Sequence, residues 1–293
     1  MLIDSFLDYL RFEKNYSEKT VVNYGIDLKQ FEEFFKSVEE EIDFQSVDAD
    51  MIRNWMLCLM EKNYTSASVN RKFSSLRSFY RFLLRRGVVV LDPVRKVMGP
   101  KSKKTLPSFL KESEMDKLLD ETNFGESFKG CRDKAIIEMF YATGIRLSEL
   151  VGLNDVDVDL SAMQIKVTGK RNKQRIIPFG EEMKETLYFY INVRDSVVSG
   201  KSEAFFVKED GSRLRNALVC SIVKRNLSKV VSLKKKSPHV LRHTFATIML
   251  NHEANLEAVK ELLGHESIAT TEIYTHTTFE ELKKVYKQAH PRA

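Results

Sequence analysis

The chain has 293 residues, 43% of them hydrophobic and 30% charged, which allows one large domain or two ordinary ones and excludes a disordered protein. Its net charge of +6 indicates a polyanionic partner, and none of its apolar runs is long enough to cross a bilayer. The three cysteines lack metal-like spacing and are odd in number, so we expect neither a cysteine metal site nor a disulfide framework. The N-terminus lacks the basic region of a signal peptide, and we therefore expect a cytoplasmic protein.

The first hundred residues predict four helices that form a small bundle. An apolar stripe at helical spacing covers residues 2–10, and Ser17 opens a second helix. Asp48 is the predicted N-cap of a third helix. The fourth helix covers about 66–86 and ends at Gly87, a residue that favours the end of a helix.

Positive charge is concentrated at the end of this bundle. Residues 1–64 hold 7 Lys and Arg against 14 Asp and Glu, whereas residues 65–104 hold 11 against 1. Aromatic residues alternate with arginines at helical spacing in the fourth helix, which predicts a core side and a basic outer side. The basic side is either a solvated face or a phosphate-binding face, for which the candidates are Arg71, Arg77, Arg81, Arg85, Lys103 and Lys104.

A segment unsuited to a core follows the bundle. After Asp92-Pro93 come Gly99-Pro100, a basic stretch at 101–104 and Pro107. This composition is typical of a linker or of a surface loop, and its position between two apolar patterns favours the linker. We therefore expect a helical domain in residues 1–92, a linker in 93–110 and a second domain in 111–293.

The second domain combines helices with a β-hairpin. Alternating apolar residues predict strands at about 163–167 and 175–178. Helical periodicity covers about 115–119, 132–142, 181–195, 215–231, 238–251, 256–263, 268–275 and 279–288. The hairpin connection carries Lys170, Arg171, Lys173 and Arg175, and is either an exposed basic turn or a finger that enters a DNA groove with one lysine as an acid. The predicted fold class is mostly α, with an all-helical N-terminal domain and an α+β C-terminal domain that has a small antiparallel sheet.

His239 and Arg242 form a candidate anion site, and Arg146 is a further candidate. A proline suits the first turn of a helix that places His239 and Arg242 three residues apart on one face. A planar guanidinium binds two phosphate oxygens and a neighbouring histidine can move a proton, whereas this fixed cation would repel a metal ion. Arg146 follows a glycine turn at the start of a short helix. Each of these residues also has an ordinary structural explanation when taken singly, as do His265 and Tyr274 further along.

The chain order of these residues resembles the tyrosine recombinase, or phage integrase, family at every catalytic element: Arg146, Lys170, His239, Arg242, Gly264-His265 and Tyr274. The stretch 237–293 is similar to the Xer subgroup, and to its XerD type more than its XerC type. The resemblance is strong over 131–293 and looser over 1–110, where the family's helical core-binding domain would lie. The family has Gly-Lys-Gly at the hairpin tip, whereas here an arginine follows the lysine, which leaves open which cation protonates the leaving oxygen.

The resemblance implies that DNA is cut by transesterification, through a 3′-phosphotyrosine and without metal, ATP or another cofactor. The implied roles are nucleophile for Tyr274, acid for Lys170, proton acceptor for His239, and phosphate binding for Arg146, Arg242 and His265. Glu149 would orient either Arg146 or a histidine. The candidate DNA contacts then include Arg171, Lys173 and Arg175 besides the basic residues of 65–104.

The resemblance also implies partners and a role. The working form would be a tetramer on double-stranded DNA, homomeric or shared with a paralogous recombinase, in which the tail 279–293 packs into a neighbouring subunit. It suggests resolution of chromosome dimers in a bacterial cytoplasm, with dependence on an FtsK-type DNA translocase. The alternatives are a mobile-element recombinase, a type IB topoisomerase and a non-catalytic DNA-binding factor, and the complete catalytic set weighs against the last.

Overall fold

The computed structural model describes residues 1–101, 108–169, 173–198, 202–233, 235–264 and 279–293. The chain divides into two compact units, Met1–Thr105 and Leu106–Ala293, each with a hydrophobic core of its own. The boundary between the units falls within the segment expected to be a linker. The first part of that segment packs against the first unit, because Pro93–Lys96 forms a short 3₁₀ helix that buries Val94.

The first unit is helical, as predicted. Its helices are α1 Leu2–Asp8, which continues as a π-helical turn over Tyr9–Glu13, α2 Glu18–Val38, α3 Ala49–Glu61 and α4 Ser66–Arg85. Asp48 caps α3 by accepting a hydrogen bond from the Met51 amide at 2.8 Å, and Thr65 caps α4 in the same way. The core is rich in aromatic rings, among them Phe31 and Trp55 with centroids 4.9 Å apart.

The helix α4 has the two predicted sides. Its apolar stripe is buried, as expected, at Phe73, Leu76, Tyr80 and Leu83. Arg77, Arg81 and Arg85 are exposed on the outer side.

Arg71 belongs to a different environment from the other arginines of α4. Its guanidinium donates two hydrogen bonds, of 2.7 and 2.8 Å, to the fully buried carboxylate of Asp27 in α2. Lys72 donates to the same carboxylate and is itself buried. The Arg71 side chain, expected on the phosphate-binding face, is therefore held by an ion pair within the first unit.

The second unit combines helices with one small sheet. Its helices are α5 Glu112–Asp116, α6 Phe128–Thr143, α7 Leu147–Gly152, α8 Glu181–Val197, α9 Asn216–Val230, α10 Pro238–Asn251, α11 Leu256–Leu263 and α12 Phe279–Ala289. The strands β1 Val158–Asp159, β2 Gln164–Thr168 and β3 Gln174–Pro178 form an antiparallel sheet in the order β1-β2-β3. The hairpin β2-β3 was predicted, and the two-residue β1 was not. The expected helix at 268–275 lies outside the described residues.

The centre of the second unit is α6. All of its residues except Lys129 and Lys134 are buried, because α6 packs against α8 and α10. A helix surrounded by other elements needs no polar face, so α6 shows no amphipathic stripe. None of the helices in the described part of the chain combines the length and the hydropathy needed to span a membrane.

The C-terminal segment packs onto its own unit in this single chain. The His290 ring stacks on Tyr286 and meets the edge of Tyr141, with centroids 5.0 and 5.1 Å away. Burial lowers the pKa of His290 to about 4, so the ring is neutral. Arg292 forms ion pairs with three carboxylates of the same unit, those of Asp116, Asp120 and Glu182. The expected exchange of this segment with a neighbouring subunit would replace these contacts.

Candidate active site

Two of the predicted phosphate-binding residues, Arg146 and Arg242, meet at the ends of two helices. Arg146 directly precedes α7, and its Nη2 donates to the carbonyl of Gly264. Arg242 lies on α10 and donates to the carbonyls of Gly144 at 2.5 Å and of Leu263 at 2.7 Å. The two guanidiniums therefore bind carbonyls of adjacent residues.

Three arginines donate hydrogen bonds to the carbonyls at the C-terminus of α11. Its last carbonyls accept hydrogen bonds from Arg175 at Leu262, from Arg242 at Leu263 and from Arg146 at Gly264. The carbonyls at a helix C-terminus have no partners within the helix and carry partial negative charge, so they attract cations. Gly264 adopts the left-handed conformation, with φ +64°, and ends the helix.

Glu149 is the buried carboxylate that pairs with two of these arginines, Arg146 and Arg175. Its side chain is 2% exposed and accepts hydrogen bonds from the Arg146 amide at 2.9 Å and the Arg146 side chain at 2.7 Å. Arg175 adds a bidentate pair, of 2.8 and 2.9 Å. Burial alone would raise the pKa of Glu149, but the hydrogen bonds from Arg175 and Arg146 outweigh burial and lower it to about 2. Glu149 is therefore ionised at neutral pH and holds Arg146, one of the predicted phosphate-binding residues.

The cluster has an excess of positive charge. The guanidiniums of Arg146 and Arg175 share the carboxylate of Glu149, and Arg242 is a third cation nearby. Burial first, and then the charges of Arg146 and Arg175, lower the pKa of Arg242 to about 10. Arg242 still remains cationic at neutral pH. A group of fixed cations with one shared anion has the charge to attract a further anion, such as a phosphodiester.

The Arg175 side chain lies inside the cluster, although sequence patterns predicted it on the DNA-contacting hairpin. It is 14% exposed, and its partner Glu149 lies 26 residues earlier in the chain. Local periodicity contains no signal for a pair with this separation, which is why sequence reasoning missed it.

The two histidines of α10 lie beside Arg242. His239 and His243 are both exposed, so either ring is open to a ligand. Burial first, and then the charges of His239 and Arg242, lower the pKa of His243 below its usual 6.5. His239 was predicted as a site residue, and His243, which adjoins Arg242 in sequence, was not.

Several predicted site residues lie outside the described residues: Lys103, Lys104, Lys170, Arg171, His265 and Tyr274. The described neighbours of Lys170 and His265, which are Gly169 and Gly264, do adjoin the cluster. A Cβ placed on Gly169 would lie 3.5 Å from Oε1 of Glu149, and Gly264 binds Arg146. The hairpin β2-β3 therefore begins its turn beside Glu149, and the chain leaves α11 at the same place. In the described ranges no group of three or more His, Cys, Asp or Glu side chains could hold a metal ion.

Comparison with known proteins matches both units. The phage integrase family profile matches residues 108–281, and the profile of the phage integrase N-terminal SAM-like domain matches residues 3–87. Tyrosine recombinase XerC of Chlorobaculum tepidum is 39% identical over 99% of this chain and 94% of its own. XerC of Halalkalibacterium halodurans is 40% identical over 99% of this chain and 97% of its own. The expected likeness to the XerD type is not supported, since these relatives are of the XerC type.

Solved structures share the fold. XerH recombinase bound to its palindromic difH substrate, in a post-cleavage complex, aligns with a TM-score of 0.71 at 22% identity, covering 96% of this chain and 83% of its own. The Tn1549 transposon integrase in complex with circular intermediate DNA aligns with a TM-score of 0.70 at 21% identity, covering 97% and 98%. These likenesses confirm the predicted fold class, a helical N-terminal domain and a mainly helical second domain with a small antiparallel sheet.

Proposed function

The chain belongs to the phage integrase family and is a site-specific tyrosine recombinase of the Xer type, and from this premise we propose that it cleaves DNA through a covalent bond to Tyr274. The observation that carries the proposal is the cluster of Arg146, Arg242 and Arg175 around Glu149 at the end of α11. The chain leaves this cluster at Gly264 and reaches Tyr274 ten residues later.

The arginines stabilise the transition state. Attack by the tyrosine oxygen on phosphorus builds negative charge on the non-bridging oxygens, and the 5′-oxygen leaves as a 3′-phosphotyrosine forms. Arg146 and Arg242 are cations held in place by helix-end carbonyls, so they meet that charge without reorganising. His265 adds a donor to a phosphate oxygen.

The protons move through His239 and Lys170. His239 is exposed beside Arg242 and accepts the proton of the tyrosine hydroxyl. Lys170 follows Gly169, whose backbone lies against Glu149, and protonates the leaving 5′-oxygen. The bond energy stays in the phosphotyrosine, so attack by the 5′-hydroxyl of another strand rejoins the DNA. Neither a metal ion nor ATP takes part in this sequence of steps.

Trapping of the covalent intermediate tests this proposal. Mapping protein–DNA junctions in cells yields the target sequence, and a nicked duplex of that sequence traps the adduct. Wild type is expected to form the adduct in excess EDTA, whereas Tyr274→Phe should bind the duplex and form none. Tyr188→Phe is the matched control, because Tyr188 is an exposed tyrosine of α8, and it should react like wild type. Adduct formation by Tyr274→Phe, or strict dependence on Mg²⁺, would contradict the proposal.

The biological role that we propose is resolution of chromosome dimers in a bacterial cytoplasm, by an XerC-type subunit in a tetramer on double-stranded DNA. The XerC names of the bacterial relatives support this role. The paralogous subunit and the FtsK-type translocase belong to the same proposal. A single cluster of mapped junctions near the replication terminus is expected, whereas junctions confined to an integrated element would indicate a mobile-element recombinase.

A further inference from the structure

Arg175 uses its whole guanidinium within the protein. Nε donates to the Leu262 carbonyl at 2.8 Å, and Nη1 and Nη2 donate to the two oxygens of Glu149 at 2.8 and 2.9 Å. All three nitrogens thus have protein partners, in the fork geometry that an arginine offers and a lysine does not. A side chain held in this way is a poor candidate for a DNA contact.

Arg175 and its partners belong to three separate elements of the proposed site. Arg175 itself lies in β3, opposite Val167 of β2, and Lys170 belongs to the segment of sequence between these strands. Glu149 orients Arg146, and Leu262 lies three residues before His265. The Arg175 side chain also packs closely on Gly264, where an added Cβ would lie 3.0 Å from its Nη1. One side chain therefore links the hairpin, the Arg146 pair and the chain that leads to the nucleophile.

We propose that Arg175 is a positioning residue for strand cleavage, which holds Glu149 and, through Glu149, sets the orientation of Arg146 relative to the hairpin and to the end of α11. This proposal rests on the proposed recombinase function. Two guanidiniums now share the Glu149 carboxylate. Without Arg175 the buried carboxylate is paired with Arg146 alone, so the Glu149–Arg146 pair is no longer fixed relative to the hairpin and to the end of α11.

The first test separates rate from binding. Arg175→Gln is expected to lower the single-turnover cleavage rate about 10- to 100-fold, since a displacement of about 1 Å in a reacting group has effects of this size. The Kd for the duplex and its salt dependence should stay at the wild-type value, because Arg175 does not contact DNA. Arg175→Lys, which restores the charge but not the fork, should recover part of the rate. Circular dichroism checks that both variants fold. If Arg175→Gln does not fold, the cleavage rate and the Kd of Arg175→Lys provide the test.

The second test is the pH profile. Arg175→Gln removes the main group that lowers the Glu149 pKa, while burial continues to raise it, so this pKa rises. Protonation of Glu149 releases Arg146, and as the pH falls the variant should therefore lose cleavage rate at a higher pH than wild type does. Wild type, whose Glu149 stays ionised, should not show this additional loss. A residue that acted only through stability would leave the shape of the profile unchanged.

Lys173→Ala is the matched comparison on the same hairpin. Lys173 is exposed, and as a phosphate contact its loss should weaken binding and reduce the slope of log K against log salt concentration by about 0.9. The inference fails if Arg175→Gln cleaves at the wild-type rate, or if it behaves like Lys173→Ala. Failure of the proposed function is a different result, because wild type would then form no adduct at all.

Discussion

At the scale of single residues, the site depends on one buried carboxylate. Glu149 is nearly inaccessible to water, yet its pKa is lowered to about 2 because two arginines donate to both of its oxygens. An ionised carboxylate without partners would be costly at this depth. The same hydrogen bonds that orient Arg146 therefore also stabilise the folded second unit.

We predict that this carboxylate makes the second unit sensitive to acid. The folded pKa lies below the ordinary value of 4.5, so the stabilisation is complete above pH 4.5 and declines as the pH falls toward 2. The full contribution is about 3 kcal/mol, of which about 2 kcal/mol is lost between pH 4.5 and pH 3. Glu149→Gln cannot titrate, so its free energy of unfolding should fall less steeply over that range.

Calorimetry between pH 6 and pH 3 measures the difference. The only tryptophan, Trp55, lies in the first unit, so a transition without a change in tryptophan fluorescence belongs to the second unit. Equal pH dependence of this transition in wild type and Glu149→Gln would show that Glu149 has no lowered pKa.

At the scale of elements, the ends of α6 and α11 are the parts that build the site. Both helices end at a glycine in the left-handed conformation, Gly144 with φ +57° and Gly264 with φ +64°. The turn after each helix directs unpaired carbonyls toward arginines from other elements. Arg242 joins the two helix ends, because it donates to Gly144 and to Leu263.

Gly144→Ala is expected to disturb this junction. The new Cβ would lie 2.5 Å from the Phe245 ring and 2.8 Å from a Leu263 methyl group, so backbone strain and overpacking combine to destabilise the second unit by about 2–4 kcal/mol. The cleavage rate should fall as well, since the Gly144 carbonyl holds Arg242.

Gly125→Ala is the control for the backbone alone. Gly125 has φ +78° in the same unit, and nothing lies within 4 Å of its added Cβ. Its substitution should therefore cost about 1 kcal/mol and leave cleavage unchanged. Urea unfolding compares the two variants, and an equal loss in both would mean that the contacts with Phe245 and Leu263 are not tight.

At the scale of the whole molecule, the excess of positive charge in the first unit is concentrated in residues 65–104. Residues 65–104 hold 11 Lys and Arg against 1 acidic residue, and the arginines of α4 that point outward form its exposed side. Arg77 lies over the Phe73 ring at 4.9 Å, and Arg85 donates to the Tyr9 hydroxyl. Arg71 is held by the buried Asp27 and differs from them.

We predict that this face binds phosphates. Arg77→Ala with Arg81→Ala should flatten the slope of log K against log salt concentration by about two, on target and scrambled duplexes alike. Arg71→Ala should instead leave the slope unchanged and destabilise the first unit by about 1–3 kcal/mol, because it removes two donors from a buried carboxylate. Salt titrations and urea unfolding separate these effects. An unchanged slope in the double variant would show that the face is merely solvated.

Local patterns in the sequence predicted the helices and the hairpin, and the resemblance in chain order to a known family grouped Arg146, Glu149 and Arg242. These features repeat every few residues or follow a fixed chain order, so they can be read without knowing the fold. The predicted caps at Asp48 and Gly87 and the buried stripe of α4 are of this kind.

Only the tertiary structure decided which basic side chains pair with a buried carboxylate. Arg71 and Arg175 resemble their basic neighbours in sequence, but their partners Asp27 and Glu149 lie 44 and 26 residues away. A lysine or arginine has the same charge wherever it occurs, and its role depends on whether a buried carboxylate lies within reach of its side chain. Packing fixes that distance, and so packing separates the arginines held by a buried carboxylate from exposed arginines such as Arg77 and Arg81.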